Sequence, residues 1–178
     1  MDSSSPYRER SHLFWSFAIV LALSVGWAQQ PSQAVASADS NKDEQEIRHR
    51  VASYATSIDR ADVKLAAQIW LNSPDASFIH PLGHEHGFDE IQHDVYEHLM
   101  GDTFSERKLS PRDIKVHVHG DSAWVEFYWD FVGKFRKDGS PITTHGRETQ
   151  VYWKTQSGWR LVHVHYSAMP VAQERQGF

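Results

Sequence analysis

Apolar positions recur at helical spacing in the first half of the chain. Asp43, with Glu46 three residues later, resembles a capping box, and apolar residues then repeat every three or four positions to about Asp59. Asp62 is suited to cap a second, shorter helix that stops before Pro74. The pattern therefore predicts three helices, the third of them over residues 89–101.

Apolar and polar residues alternate along the second half of the chain, which is typical of strands with one buried face. Four long segments are predicted as strands, namely residues 108–119, 122–136, 142–155 and 159–168. Tight-turn signals separate them, so we expect an antiparallel meander. A short strand over residues 76–80 precedes the third helix, and a turn rich in glycine and histidine, PLGHEHG, follows that strand.

Three helices followed by a meander predict one α+β domain over residues 43–170, with a short tail at residues 171–178. We expect a cone-shaped fold, in which three N-terminal helices pack on a curved antiparallel sheet. Such packing leaves an internal pocket between the helices and the sheet.

The first 36 residues have the pattern of a signal peptide. Two arginines precede an apolar run over residues 13–28, and small residues follow it. Cleavage after Ala28 or Ala36 satisfies the small-residue rule, and residues 37–42 then form a polar linker. We expect a secreted or periplasmic protein without membrane contact once the leader is removed, with an uncleaved anchor as the alternative.

Composition excludes several classes of function. The chain carries 23 acidic and 18 basic residues, and a net charge of −5 disfavours nucleic-acid binding. It has no cysteine, so disulfides, thiol catalysis and cysteine-ligated zinc are excluded. The sequence contains no phosphate-binding glycine loop, serine nucleophile elbow or HExxH motif. We therefore expect no cofactor.

The closing strands resemble a known family. Glu148-Thr149, Val151 and the stretch that ends in VHVHYSAMP are similar to the last strands of the calcium/calmodulin-dependent protein kinase II association domain and its SnoaL-like relatives. The HGDSA stretch at 119–123 and the pair Pro74-Asp75 also match this group of the nuclear transport factor 2-like superfamily. The resemblance implies a cone-shaped protomer that dimerises through its sheet. Relatives include isomerases, cyclases, dehydratases and assembly modules, so the fold alone does not determine the function.

Strand alternation predicts which side chains face the pocket. Trp129, Gln150 and Tyr166 align with pocket arginines of the association-domain family, so those three guanidinium groups are missing here. Their replacement favours a neutral, flat or partly apolar ligand over a carboxylate or phosphate. Phe127, Tyr152 and His80 complete the predicted ligand-binding set. The expected partner is a small molecule.

Glu148 is the lone acid on the predicted pocket face. A carboxyl group among aromatic side chains has a raised pKa and can act as a general acid or base. Tyr166 or Gln150 would then donate a hydrogen bond to a developing oxyanion. The alternative is a structural Glu148 that only shapes the pocket, and we expect binding rather than catalysis as the function.

The histidines of the last strand are predicted to lie on the outer face of the sheet. Alternation places Trp159, Leu161, His163 and His165 on one side and Tyr166 on the other. An outer face this aromatic favours a second copy of the chain as its cover. The predicted dimer interface consists of His163, His165, Trp124, Tyr128 and Trp153.

Twelve histidines raise the question of a metal site. His84 and His86, together with His80, could supply ligands, but surface histidines in a flexible turn are the favoured interpretation. His93 and His98 are five residues apart and do not share a face of an α-helix. We therefore expect no metal, with His80, His84 and His86 as the alternative.

Overall fold

The computed structural model describes residues 33–169 of the chain. The predicted leader as far as residue 32 and the predicted tail at residues 171–178 lie outside the described residues. Within the described range, no helix is both long enough and apolar enough to cross a membrane.

Helix α1 (Gln33–Arg60) begins earlier than the sequence pattern predicts. Residues 37–42, predicted as a linker, are helical, because no glycine or proline interrupts the chain between Gln33 and Arg60 and several alanines favour the helix. The helix ends at Ala61, whose φ of 49° lies in the left-handed region. The Asp62 amide donates to the carbonyl of Ser57 at 2.9 Å, which closes the last turn.

Two further helical segments follow α1. Helix α2 (Val63–Ile69) is capped as predicted by Asp62, whose side chain accepts a hydrogen bond from the Leu65 amide at 2.9 Å. Helix α3 (Gly87–Glu90) continues as a π-helical segment, Ile91–Asp102. The third helix was thus predicted in the right place but with the wrong hydrogen bonding. In a π-helix each amide bonds five residues back, so positions five apart share a face.

Six strands form one curved mixed sheet, in the order β2-β1-β6-β5-β4-β3. Their bounds are β1 Ser77–His80, β2 Gly83–His86, β3 Phe104–His119, β4 Ser122–Phe135, β5 Pro141–Thr155 and β6 Gly158–Ala168. The four long strands form the predicted antiparallel meander. Strand β1 pairs with β6 in parallel, which the prediction of an antiparallel sheet missed. Strand β2 lies where a turn was predicted.

An irregularity between β5 and β6 overturns the predicted alternation of the last strand. Val151 pairs with His163 and Tyr152 pairs with Leu161, so Val162 has no cross-strand partner of its own. Such a bulge moves the residues before it to the opposite face. Trp159 and Leu161 are therefore fully buried in the core. The prediction that they share a face with His163 and His165 is wrong.

Aspartates fix α1 on the concave side of the sheet. At the C-terminal end of α1, the Asp59 carboxylate accepts from the Leu109 amide of β3 at 2.6 Å, and the Asp59 carbonyl accepts from Arg107 Nε at 3.2 Å. Near residue 43, the Asp43 carboxylate accepts from Trp159 Nε1 of β6 at 3.0 Å. Helices and sheet enclose one apolar core, so the fold is the predicted α+β cone with a mixed sheet.

Candidate functional site

An apolar cavity of about 280 Å³ lies between α1, the π-helical segment and the concave face of the sheet. It is lined by Tyr54, Ile58, Phe78, His80, Pro81, Leu82, Leu99, Met100, Phe104, Leu109, Trp129, Phe131, Ile142, Thr144, Glu148 and Tyr166. Among these described lining residues there is no lysine, arginine or aspartate. Aromatic and aliphatic side chains with few polar groups are typical of sites for small organic ligands.

Glu148 provides the one carboxyl group among those lining residues, and it is 4% exposed. Its Oε1 accepts a hydrogen bond from Gln150 Nε2 at 2.7 Å, and the Tyr152 hydroxyl donates in turn to Gln150 Oε1. Burial raises the pKa of Glu148 to about 8, although its hydrogen bonds with Gln150 and Tyr54 partly oppose the shift. A pKa above 7 favours the protonated carboxyl group at pH 7, and in that form the group can donate a hydrogen bond.

Trp129 forms one wall of the cavity and rests on a glycine. Its cross-strand partner is Gly146, and a Cβ at position 146 would overlap the indole ring and the carbonyl oxygen of Ser167. The sequence analysis missed Gly146, although an isolated glycine inside a strand often marks such a close approach. Trp129 Nε1 is buried without a hydrogen-bond partner among the described residues.

Tyr166 lies on β6 directly opposite Glu148, beside the other aromatic wall residues. Its ring centroid is 4.9 Å from that of Trp129 and 6.4 Å from that of His80. Burial raises the pKa of the Tyr166 hydroxyl, and the nearby Glu148 adds to the shift. The cavity thus brings together the predicted residues Trp129, Tyr166 and His80 with Glu148.

Three other predicted ligand-binding residues do not line the cavity. Phe127, Gln150 and Tyr152 are buried in the core but are not among the residues that line the cavity. Gln150 acts through Glu148, whose carboxyl it contacts directly. Alternation identified the correct face of these strands, but it carries no information on how far along each strand the helix lies.

His80 is a second polar group of the cavity, and it contacts a residue that the sequence analysis missed and that does not itself line the cavity. His80 Nε2 lies 3.0 Å from Glu85 Oε1, and both side chains are buried. The Leu82 amide donates to His80 Nδ1 at 3.3 Å, which leaves the proton of a neutral ring on Nε2. Glu85 Oε2 is buried and has no partner among the described residues. Glu85 was overlooked because its strand was predicted as a turn.

Comparison with known proteins identifies the family of this fold and cavity. The SnoaL-like domain family matches residues 47–172. The chain belongs to the SnoaL-like family. The match does not distinguish the association-domain subgroup, and no curated protein matches this SnoaL-like chain.

Solved structures agree with the family. A nuclear transport factor 2-like superfamily protein from Salmonella enterica serovar Typhimurium is 41% identical with a TM-score of 0.75, and the alignment covers 78% of this chain and 99% of that chain. A candidate dehydratase from Streptomyces avermitilis is 21% identical with a TM-score of 0.66, covering 74% and 99%. A candidate aromatic ring hydroxylase from Novosphingobium aromaticivorans is 23% identical with a TM-score of 0.63, covering 72% and 91%. The last two likenesses establish the fold alone.

The metal site considered for this SnoaL-like domain does not form. His84 and His86 are exposed on one face of β2, whereas Glu85 between them is buried on the other face with its partner His80. Because successive side chains of a strand point to opposite faces, His80 cannot join His84 and His86 around one ion. The structure therefore does not bring His80, His84 and His86 together.

The outer face of the SnoaL-like sheet carries the residues predicted for a dimer. Trp124, Tyr128 and Trp153 are 39%, 39% and 43% exposed. His165 is exposed, whereas His163 is half-buried and its Nδ1 lies 2.7 Å from the Ser77 hydroxyl of β1. His163 thus has a hydrogen-bond partner within its own chain, and the dimer contact stays a prediction.

Proposed function

We propose that this SnoaL-like domain binds a small, uncharged and flat organic molecule in its cavity. The observation that carries the proposal is the buried carboxyl group of Glu148 in a wall of aromatic and aliphatic side chains, where burial raises its pKa to about 8. A neutral carboxyl group donates one hydrogen bond to a carbonyl or hydroxyl oxygen of the ligand.

The charge of the lining favours a neutral ligand over an anion. A carboxylate in the cavity would face no lysine or arginine among the described lining residues. Burial of an unpaired charge costs several kcal/mol, which such a ligand could not recover here. The cavity volume of about 280 Å³ is close to the lower end of the range for ligand pockets, roughly 300 Å³. A cavity of this size suits a molecule of one or two rings.

Two ligands of nearly the same shape, one neutral and one negatively charged, test the proposal. Acetophenone is neutral and benzoate is an anion at pH 7, and calorimetric titration measures the affinity of each. We expect acetophenone to bind at least tenfold more tightly than benzoate. Equal or tighter binding of benzoate would contradict the proposal. Glu148→Ala should weaken acetophenone binding, whereas Glu106→Gln, a change of an exposed carboxylate on β3, should leave it unchanged.

A second candidate function is acid–base catalysis on a ligand of the same kind. Glu148 and His80 line one cavity, and His80 is paired with Glu85, so a proton donor and a proton acceptor are both close to a bound molecule. The fold neighbours described as a candidate dehydratase and a candidate aromatic ring hydroxylase support this option. Once a substrate is found, Glu148→Gln should abolish turnover and retain affinity, and retained turnover would exclude this role.

We also propose that the domain is exported and that it dimerises through the outer face of its sheet. The leader pattern supports export, and the exposed aromatic side chains of Trp124, Tyr128 and Trp153 support the dimer. Mass spectrometry of the secreted or periplasmic fraction should find an N-terminus after Ala28 or Ala36. In sedimentation equilibrium, Trp124→Glu should shift a dimer to a monomer, whereas a wild-type monomer would contradict the dimer.

A further inference from the structure

The π-helical segment brings the side chains of two histidines into close contact. His93 Nε2 and His98 Nε2 lie 3.1 Å apart, with their ring planes almost perpendicular at 84°. The spacing of five residues would separate these side chains on an α-helix. Here the five-residue hydrogen-bond repeat of the π-helix places them on one face.

Each of the two rings is held by a carboxylate through its other nitrogen. His93 Nδ1 lies 2.8 Å from Asp94 Oδ1, and His98 Nδ1 lies 2.8 Å from Asp102 Oδ2. A carboxylate accepts a hydrogen bond from Nδ1–H, so a neutral ring carries its free lone pair on Nε2. Two neutral rings of this tautomer place two acceptor nitrogens 3.1 Å apart with no proton between them, an arrangement that a cation would stabilise.

We propose that His93 and His98 bind a divalent transition-metal ion of the zinc type through their Nε2 atoms. Zinc–nitrogen distances are about 2.0–2.1 Å, so an ion shared between nitrogens 3.1 Å apart subtends an angle of roughly 100° at the metal. That angle is close to the tetrahedral value. Carboxylate partners on Nδ1 are also the usual orienting groups of metal-bound histidines.

The environment of the pair allows an ion to enter and leave. The side chains of His93 and His98 are 61% and 55% exposed, and one ligand atom from each of His93, Asp94 and His98 lies within 4.8 Å of the others. Water would complete the coordination, because the Asp94 carboxylate already contacts His93 Nδ1. His98 precedes Leu99, which lines the apolar cavity, so the ion would lie near that cavity without entering it.

Zinc titration of the untagged chain, after removal of bound metal with a chelator, tests the site. We expect one equivalent of Zn²⁺ to bind in calorimetry, and His93→Gln or His98→Gln to lower the affinity at least tenfold. Asp102→Asn removes an orienting carboxylate and should lower it about tenfold. Co²⁺ should give the visible absorption of a near-tetrahedral site in the wild type and not in His98→Gln.

A second histidine pair of the same chain is the matched control. The rings of His84 and His86 are 3.9 Å apart and exposed, but neither ring has a carboxylate partner among the described residues. The double change His84→Gln/His86→Gln should therefore alter zinc affinity less than threefold. The proposal is overturned if the wild type binds no zinc, which would leave a proton shared between His93 and His98. It is also overturned if the double change at His84 and His86, and not the changes at His93 and His98, lowers the zinc affinity.

Failure of this site is distinguishable from failure of the proposed cavity function. His93 and His98 do not line the cavity, so their substitution should leave acetophenone binding unchanged. Circular dichroism and the thermal midpoint of each metal-free variant should match the wild type, because both side chains are mostly exposed.

Discussion

The buried carboxyl group of Glu148 should make the stability of the protein depend strongly on pH. Its pKa rises from an ordinary value of 4.5 to about 8 on folding, because burial disfavours the charged form. Between these values the folded state holds a proton that the unfolded state has released. The contribution of Glu148 to stability is therefore most favourable below pH 4.5 and is lost as the pH rises to 8.

The size of this effect follows from proton linkage. Each pH unit between the two pKa values costs about 1.4 kcal/mol of unfolding free energy, so about 4 kcal/mol is lost between pH 5 and pH 8. Glu148→Gln keeps the shape and a donor group but cannot ionise. Relative to the wild type, this variant should gain about 4 kcal/mol of stability from pH 5 to pH 8.

Urea unfolding of both proteins at pH 5, 6, 7 and 8 measures this difference. Other titrating groups affect both proteins alike, so the difference between the two curves isolates Glu148. Glu106→Gln, an exposed change on β3, should follow the wild type at every pH. A Glu148→Gln curve parallel to the wild type within 1 kcal/mol would refute a neutral buried carboxyl group, and with it the basis for a neutral ligand.

Three further predictions concern single positions. Gly146→Ala should displace Trp129, lower the unfolding free energy by about 2–3 kcal/mol and abolish acetophenone binding; unchanged binding in calorimetry would contradict this. Ala61→Gly should raise the unfolding free energy by up to about 1 kcal/mol, because φ is 49° at this residue, and a lower thermal midpoint would count against it. Asp62→Ala should cost about 1 kcal/mol in urea unfolding through loss of the α2 cap, whereas Asp62→Asn should cost less than half of that.

Local patterns predicted most of the architecture of this protein. Apolar spacing located the three helices, and alternation with glycine turns located the four long strands, because both signals act between neighbours in the chain. Asp62 illustrates the reliability of such signals, since its cap forms as predicted. The start of α1 was placed too late because a polar composition was taken as a linker although nothing in it breaks a helix.

The predictions of the site were wrong where a residue's position depends on interactions between distant parts of the chain. The bulge at Val162 reversed the face of Trp159 and Leu161, and no local signal in alternating apolar residues reveals such a bulge. The burial of Glu85 depends on strand β2, which forms a hairpin with β1. Strand β1 in turn pairs with β6, at the far end of the chain. His93 and His98 meet because the backbone adopts π-helical hydrogen bonding, which five-residue spacing alone does not predict.

The sequence by itself determined the elements, the family resemblance and the residue types that reach the pocket, because these depend on local periodicity and on motifs. Only the tertiary structure decided which of them share a cavity. Glu148 and Tyr166 face one another across a strand pair, and Gly146 allows Trp129 to close beside them. Burial by distant segments also raises the pKa of Glu148, and that desolvation arises only when helix and sheet pack together.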